Sequence, residues 1–423
     1  NATGFEKDPA VPLPITMTTG TNGTKIKVFS NNVTVMNLIN VNSLNLSGLA
    51  GTLTGYTGGV IPEAGTEGGV TFDKFKTAAI DGIVTEFKIN ADLDKSNGTA
   101  TSDDYQYTRR LIVQRSKISV EGKNVKAVLN QTDLDNIGDT SVVGLAMSSS
   151  GNAISNAETG ITLKPSSTVK ADRTDAGTGA VGLFINYGKV DVQNGASINV
   201  EKESINAAND EAVGIYSVNG SEVLNSGEIN VGGKKSIGIL GLSYRLNNSG
   251  LPIENEFGTH ALGQGKINVT NAGTLTLDGE QAAGIFIKNN NASGLATDNL
   301  GKNTGTVNIS GNKSIGMSVE KGVLENTGTI NVTGQESTGI FGKSGSSLVN
   351  GAGGKINIAA SASADNPNIG MFTDDINTGI VNTGEIIGGN NNYGIYGKNV
   401  TLNAGSKVKV GDNGVGIFST GNS

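Results

Sequence analysis

The chain has 423 residues, of which 63 are glycine and 50 are asparagine, so two small residue types fill about a quarter of it. Charged residues make up 16%, the net charge is −7, and there is no cysteine, no tryptophan and a single histidine. This composition excludes a disulfide framework, thiol chemistry and cysteine metal sites. It also excludes a basic nucleic-acid interface and, because Val, Ile and Thr recur throughout, a disordered chain.

The chain opens on Asn1 rather than Met, as expected where a leader has been removed. No stretch reaches the roughly 18 apolar residues of a membrane helix. Residues 1–143 alternate irregularly, as in Lys25-Ile26-Lys27-Val28-Phe29, Val33-Thr34-Val35 and Leu44-Asn45-Leu46. With Pro9, Pro12 and Pro14 near the start, they are predicted to form an N-terminal cap and irregular coils, since a solenoid must cover its sticky end. Within them lies Asp103-Asp104-Tyr105-Gln106-Tyr107-Thr108-Arg109-Arg110, followed by Arg115, which holds three of the five arginines. Tyr105, Tyr107, Arg109, Arg110 and Arg115 are candidate partner-binding residues, because Arg and Tyr dominate binding hot spots. The alternative is an edge strand bearing charge against aggregation.

From residue 144 the chain is periodic. A small or aliphatic residue, glycine, an aliphatic and often an aromatic recur as Val181-Gly182-Leu183-Phe184, Val213-Gly214-Ile215-Tyr216 and Ala283-Gly284-Ile285-Phe286. The ten phrase glycines are spaced by 38, 32, 24, 46, 32, 23, 31, 24 and 22 residues. The unit is thus about 22–24 residues, and longer intervals carry insertions. Between copies lies Asn-x-Gly with an alternating strand, as in Asn326-Thr327-Gly328-Thr329-Ile330-Asn331-Val332. Alternation marks half-buried strands, and Asn and Gly ahead of them are expected to supply the positive φ of a corner. Three short strands per unit close one coil of a parallel β-helix. Dividing the length by the unit gives about 17 coils and a rod of roughly 80 Å at the strand spacing. Aliphatic ladders should run inside it, and asparagines at equivalent corners should bond coil to coil.

The aromatics two positions after the phrase glycine are Phe184, Tyr216, Phe286, Phe341, Phe372, Tyr396 and Phe418. Strict alternation puts the aliphatics before and after the glycine on one face and these aromatics on the other. They form either an exposed ladder for sugars or a partner protein, or a structural stack under a covering loop, the commoner use of such rings. The longest insertion, 241–265, holds Tyr244, Arg245 and His260, candidate partner-binding residues because solenoid insertions usually carry function. A lone loop histidine is usually just solvated. The pairs Asp103-Asp104 and Asp374-Asp375 are the best acid/base candidates for a carbohydrate-active enzyme, yet neighbours in a strand point to opposite faces. No catalytic residue, cofactor or metal site is predicted. The chain stops at Ser423 in mid-repeat, and it is expected to be part of something longer.

Asn326-Thr327-Gly328-Thr329-Ile330-Asn331-Val332 followed by Ser337-Thr338-Gly339-Ile340-Phe341 resembles the passenger repeats of type V autotransporters, most closely the large fusobacterial outer-membrane adhesins. The resemblance covers residues 140–423 and, loosely, the N-terminal third. It implies a right-handed parallel β-helix, exported and displayed by a C-terminal outer-membrane barrel that is absent here, with residues 144–423 as its regular coils. It implies a monomeric, non-enzymatic adhesin whose partner is a host or bacterial cell-surface protein or glycan. The alternatives are a β-helical polysaccharide lyase or hydrolase and a phage-tail or other structural β-helix.

Overall fold

The computed structural model describes residues 180–186, 189–201, 211–218, 221–243, 266–289 and 296–419, and N-terminal to these Pro165 and the strands up to Thr168–Arg173. It is a right-handed parallel β-helix of three sheets. Sheet A has ten strands from Arg110–Val113 to Asn399–Leu402, and sheet B ten from Lys117–Gly122 to Lys407–Lys409. Sheet C has eleven, from Lys126–Val128 to Val415–Phe418. Each coil gives one strand to each sheet, and each strand pairs in parallel with its equivalent one coil away, as Thr306–Ile309 does with Thr329–Val332. Ahead of the stack, Val33–Asn45 pairs antiparallel with Ala79–Ala91.

Among the described residues each interval between phrase glycines, 46 residues included, forms one coil, so they hold ten to eleven coils where about 17 were expected of the whole chain. At the strand spacing these coils span about 50 Å. Dividing length by the shortest unit counted insertions as coils.

The interior is a set of aliphatic columns. On sheet B, Ile198, Ile229, Leu275, Val307, Ile330, Ile356 and Ile386 stack with no exposed surface. On sheet C the residue after each phrase glycine points inward, from Leu183 and Ile215 to Met371 and Ile395, all fully buried. One inward column of sheet A changes chemistry along the rod. Leu163 and Val192 give way to Asn225, Asn271, Asn303, Asn326, Asn350 and Asn382, all fully buried. Each Nδ2 donates to the next Oδ1 at 2.7–2.8 Å, as expected of the Asn-x-Gly corners.

The positive φ expected of the corner glycine holds at Gly405 of Asn403-Ala404-Gly405, with φ of 89°, but the other corner glycines have another role. Gly227, Gly273, Gly305, Gly328 and Gly384 are absent from the positive-φ glycines. A Cβ at Gly305 would lie 2.1 Å from the Gly273 carbonyl oxygen, and one at Gly328 2.2 Å from that of Gly305. The corner requires close approach of backbones rather than left-handed torsion. The phrase glycines form a second such ladder, with a Cβ at Gly316 placed 2.6 Å from the Gly339 oxygen and 2.5 Å from Ile330 Cγ2. Left-handed torsion falls instead on the residue three before the phrase glycine, among them Lys235, Gln281, Lys313 and Glu336, with φ of 53–59°.

Two predictions follow from these ladders. Gly316→Ala should destabilise the rod by about 2 kcal/mol, because the new methyl meets backbone and a packed core side chain. Gly416→Ala, where nothing lies within 4 Å, should leave the urea midpoint unchanged, and equal losses at the two sites would refute the close-approach account. Asn326→Leu strands the Nδ2 of Asn303 and the Oδ1 of Asn350 and should cost about 2–4 kcal/mol. The half-buried Asn331, bonded to Asn308 and Asn357 on the outer face of sheet B, should cost under about 1 kcal/mol when changed to Leu.

Candidate functional site

The three outer faces of the rod differ in chemistry. Sheet B presents mainly Thr, Asn and charged residues, such as Thr274, Thr306, Asn308, Thr329 and Asn331. Sheet A presents a mixture that includes the pairs Lys189–Glu222 at 3.5 Å and Lys302–Glu325 at 3.1 Å. Sheet C is apolar in two adjacent columns.

The first of these is the aromatic column of the sequence. Phe184 meets Tyr216 edge-on at 5.4 Å, Phe341 stacks on Phe372 at 5.4 Å, and Tyr396 lies 5.2 Å from Phe372 and 4.9 Å from Phe418. The equivalents in the intervening coils are Leu240, Phe286 and Ser318. The rings therefore stack on one another along the rod, and they also face outward. Phe184 is 1% exposed and Phe418 37%, with Tyr216, Phe286, Phe341, Phe372 and Tyr396 half-buried between them.

The second column corrects the expected alternation. The residues before the phrase glycine do not share the inner face with those after it. Val181 and Val213 pack with Phe184 and Val218, beside Tyr216, Ile237 and Leu240, and Tyr393 lies within 6.1 Å of Tyr396 and 5.9 Å of Phe418. The register passes from Val213↔Ile237 to Ile215↔Ile239 across the intervening glycines. The chain bends at that glycine, so positions one before and two after it emerge on the same side. Ile237, Ala283, Ile315, Thr338 and Ile369 thus flank the aromatics as a second outward column. Its signal was present as aliphatics recurring before each glycine, but a straight-strand assumption turned them inward.

Along the other side of the aromatics runs a charged strip. Glu320 bonds Lys288 at 3.3 Å and Lys343 at 2.7 Å. Partial burial raises the Glu320 pKa, but the two lysines outweigh it and hold the carboxyl below its ordinary value.

The other candidates take different places. Tyr105, Tyr107, Arg109, Arg115, Tyr244, Arg245, His260, Asp103 and Asp104 lie outside the described residues. Arg110 begins the first strand of sheet A, its backbone aligned with Gly160. In the pair Asp374-Asp375, Asp375 is occupied as a turn cap. Its carboxylate accepts from Gly345 N at 2.7 Å, Asn377 N at 3.0 Å and Thr378 Oγ1 at 2.7 Å. The Gly345 amide, then that of Asn377, holds its pKa low, the opposite of what a general acid needs. Among the described residues no three His, Cys, Asp or Glu side chains converge as a metal site.

The model for the BigA third pectate lyase-like domain matches residues 67–354. The chain belongs to that family. It is therefore a pectate lyase-like β-helix domain of a bacterial surface protein. Comparison with curated proteins and with solved structures returns no match. The stretch matched to BigA includes Phe184, Tyr216, Phe286 and Phe341 of the aromatic column, and the same column continues past it through Phe372, Tyr396 and Phe418.

The Asp375 cap has a pH signature. Because its folded pKa is depressed, its contribution is present above the ordinary carboxyl range, near about pH 4, and is lost as the pH falls through the lower folded value. Asp375→Ala should lower Tm at pH 7, and the gap from the parent chain should close on acidification to about pH 2. A gap independent of pH would show that the carboxylate charge has no part in the turn.

Proposed function

We propose that this domain is a rigid display rod of a surface-anchored adhesin that attaches cells through the outward face of sheet C. The observation that carries this reading is the confinement of apolar outer columns to one sheet. Sheet B builds the same stack with Thr and Asn outside, so stacking alone does not require Phe, Tyr and Ile on sheet C. A contiguous apolar strip on a secreted-type surface is the usual mark of an interaction site. The resemblance to autotransporter passengers supports export through the outer membrane and anchoring by a barrel elsewhere in the protein. It also supports a partner on a host or bacterial cell surface.

The family description favours one second reading, a carbohydrate-active β-helix. Against it stands Asp375, the best-placed acid candidate among the described residues, which is tied into a turn and kept ionised. Release of reducing ends from polygalacturonate above background would establish that reading instead.

The adhesive reading predicts that the purified rod binds target cells and that Phe341→Ala/Phe372→Ala lowers binding at least about 10-fold, the loss of a hot-spot pair. The melting curve should move little, since both side chains sit outside the core. Unchanged binding would remove sheet C from the adhesive surface, and a collapsed melting curve would make the rings purely structural.

A further inference from the structure

We propose that the outer face of sheet C binds the same face of a second copy of this chain, with the two rods antiparallel. The two-fold axis passes between the coils of Ser318 and Phe341. This rests on the adhesive reading above and names the partner.

Three observations favour a second copy. The strip is mainly apolar: the column beside the aromatics is Ile237, Ala283, Ile315, Thr338, Ile369 and Tyr393, the hydroxyls on the two columns are confined to Tyr216, Ser318, Thr338, Tyr393 and Tyr396 among the described residues, and the charged strip on the other side is already paired within itself. A sugar needs hydrogen-bonding groups next to its aromatic platform, whereas an apolar protein face does not. The strip also repeats at the coil spacing of about 4.8 Å, so a partner with that same repeat interdigitates along its whole length, and this chain is one. Finally, although the chain carries −7 overall, this face bears few charges and both signs, so two copies meet here with little repulsion.

The antiparallel register is set by shape. In-plane two-fold symmetry lays each column over itself in reverse order. With the axis between the coils of Ser318 and Phe341, Ser318, the gap in the ladder between Phe286 and Phe341, faces the partner's Phe341. Phe286 then faces the partner's Phe372, Ala283 the partner's Ile369, and Glu320 the partner's Lys343. Small residues thus oppose large ones and a carboxylate opposes an ammonium. Six facing coils, about 29 Å long at the strand spacing and three residues wide, bury roughly 400 Å² on each rod. That is half of a standard interface, so single rods stay apart in dilute solution. Arrays of rods on two cells hold through many weak contacts.

The test uses rods coupled to beads. Beads bearing the parent chain should cluster with each other and not with blank beads. Ser318→Phe fills the gap and should abolish clustering while Tm holds or rises, because the new ring extends the stack between Phe286 and Phe341. Thr338→Cys, the sole thiol in a cysteine-free chain, should give cross-linked dimers with a short bis-maleimide at high rod density, and Thr306→Cys on sheet B should not. Clustering by Ser318→Phe equal to that of the parent chain, or equal cross-linking at both thiols, overturns the proposal. Parent beads that fail to cluster yet bind target cells overturn it while leaving the adhesive reading intact. Beads that do neither remove both.

Discussion

Successive coils are joined by main-chain hydrogen bonds, so every corner of a coil must come as close to its neighbour as the strands do. Strands have room for a Cβ because their side chains stand above and below the sheet. Corners do not, because there the backbone turns its Cα–Hα edge towards the next coil. Glycine ladders run along two corners, Gly227-Gly273-Gly305-Gly328 and Gly233-Gly279-Gly311-Gly334, and a third, the phrase glycines, along the bend within the sheet C strands. A Cβ at Gly279 would lie 1.5 Å from the oxygen of Gly233. Much of the glycine content is therefore a statement about contact between coils, not about torsion.

That constraint also explains where torsional strain goes. If close approach fixes glycine at these corners, the left-handed residue in each coil has to be something else, and it is Glu211, Lys235, Gln281, Lys313, Glu336, Asn391 or Asn413. The backbone amides of Glu211, Lys235, Gln281, Lys313 and Asn391 donate to the next coil, as Lys313 N does to Gln335 O at 2.7 Å, and this offsets the steric cost of the conformation. Serine and asparagine extend the pattern in the same turn, where Ser314 N donates to Ser337 Oγ at 3.0 Å and Ser337 N to Asn368 Oδ1 at 2.7 Å. Ser314, Ser337 and Asn368 are thus paired with the equivalent corner one coil away, while the Ser236 hydroxyl donates within its own turn to Gly232 O at 2.6 Å. Such pairing also fixes register, since a one-residue slip would strand every buried amide.

Much of this was legible in the sequence for a simple reason: a solenoid writes the same local geometry repeatedly, and Asn303, Asn326 and Asn382 stand out by recurrence. What was not legible was geometry that breaks a period. The bend at the phrase glycine puts Ile237 and Leu240 on one face when alternation puts them on opposite faces. The left-handed position is filled by Glu211, Lys235, Gln281, Lys313 and Glu336, residue types that carry no turn signal, before Asn takes it at Asn391 and Asn413. Inserted residues add length without adding coils, so the length divided by the shortest unit overstates the number of coils. The aromatic column was visible, but its aliphatic neighbour was not, and the two together make the face.

A residue in a stacked coil has three possible surroundings: the interior, the corner and the outside. The first two are set by packing and by backbone contact. The outside is freest to vary without breaking the stack, and there sheet B is mainly polar and sheet C mainly apolar. A polar outer column costs the stack nothing, as Asn308, Asn331 and Asn357 demonstrate by bonding one another at 2.9 Å. Phe341 and Phe372 gain from stacking, but so would a threonine ladder, and without leaving apolar surface in water. The rings and isoleucines carried through seven successive coils of sheet C, from Ile237 to Phe418, are therefore not demanded by the stack, and the proposed contact face rests on that difference.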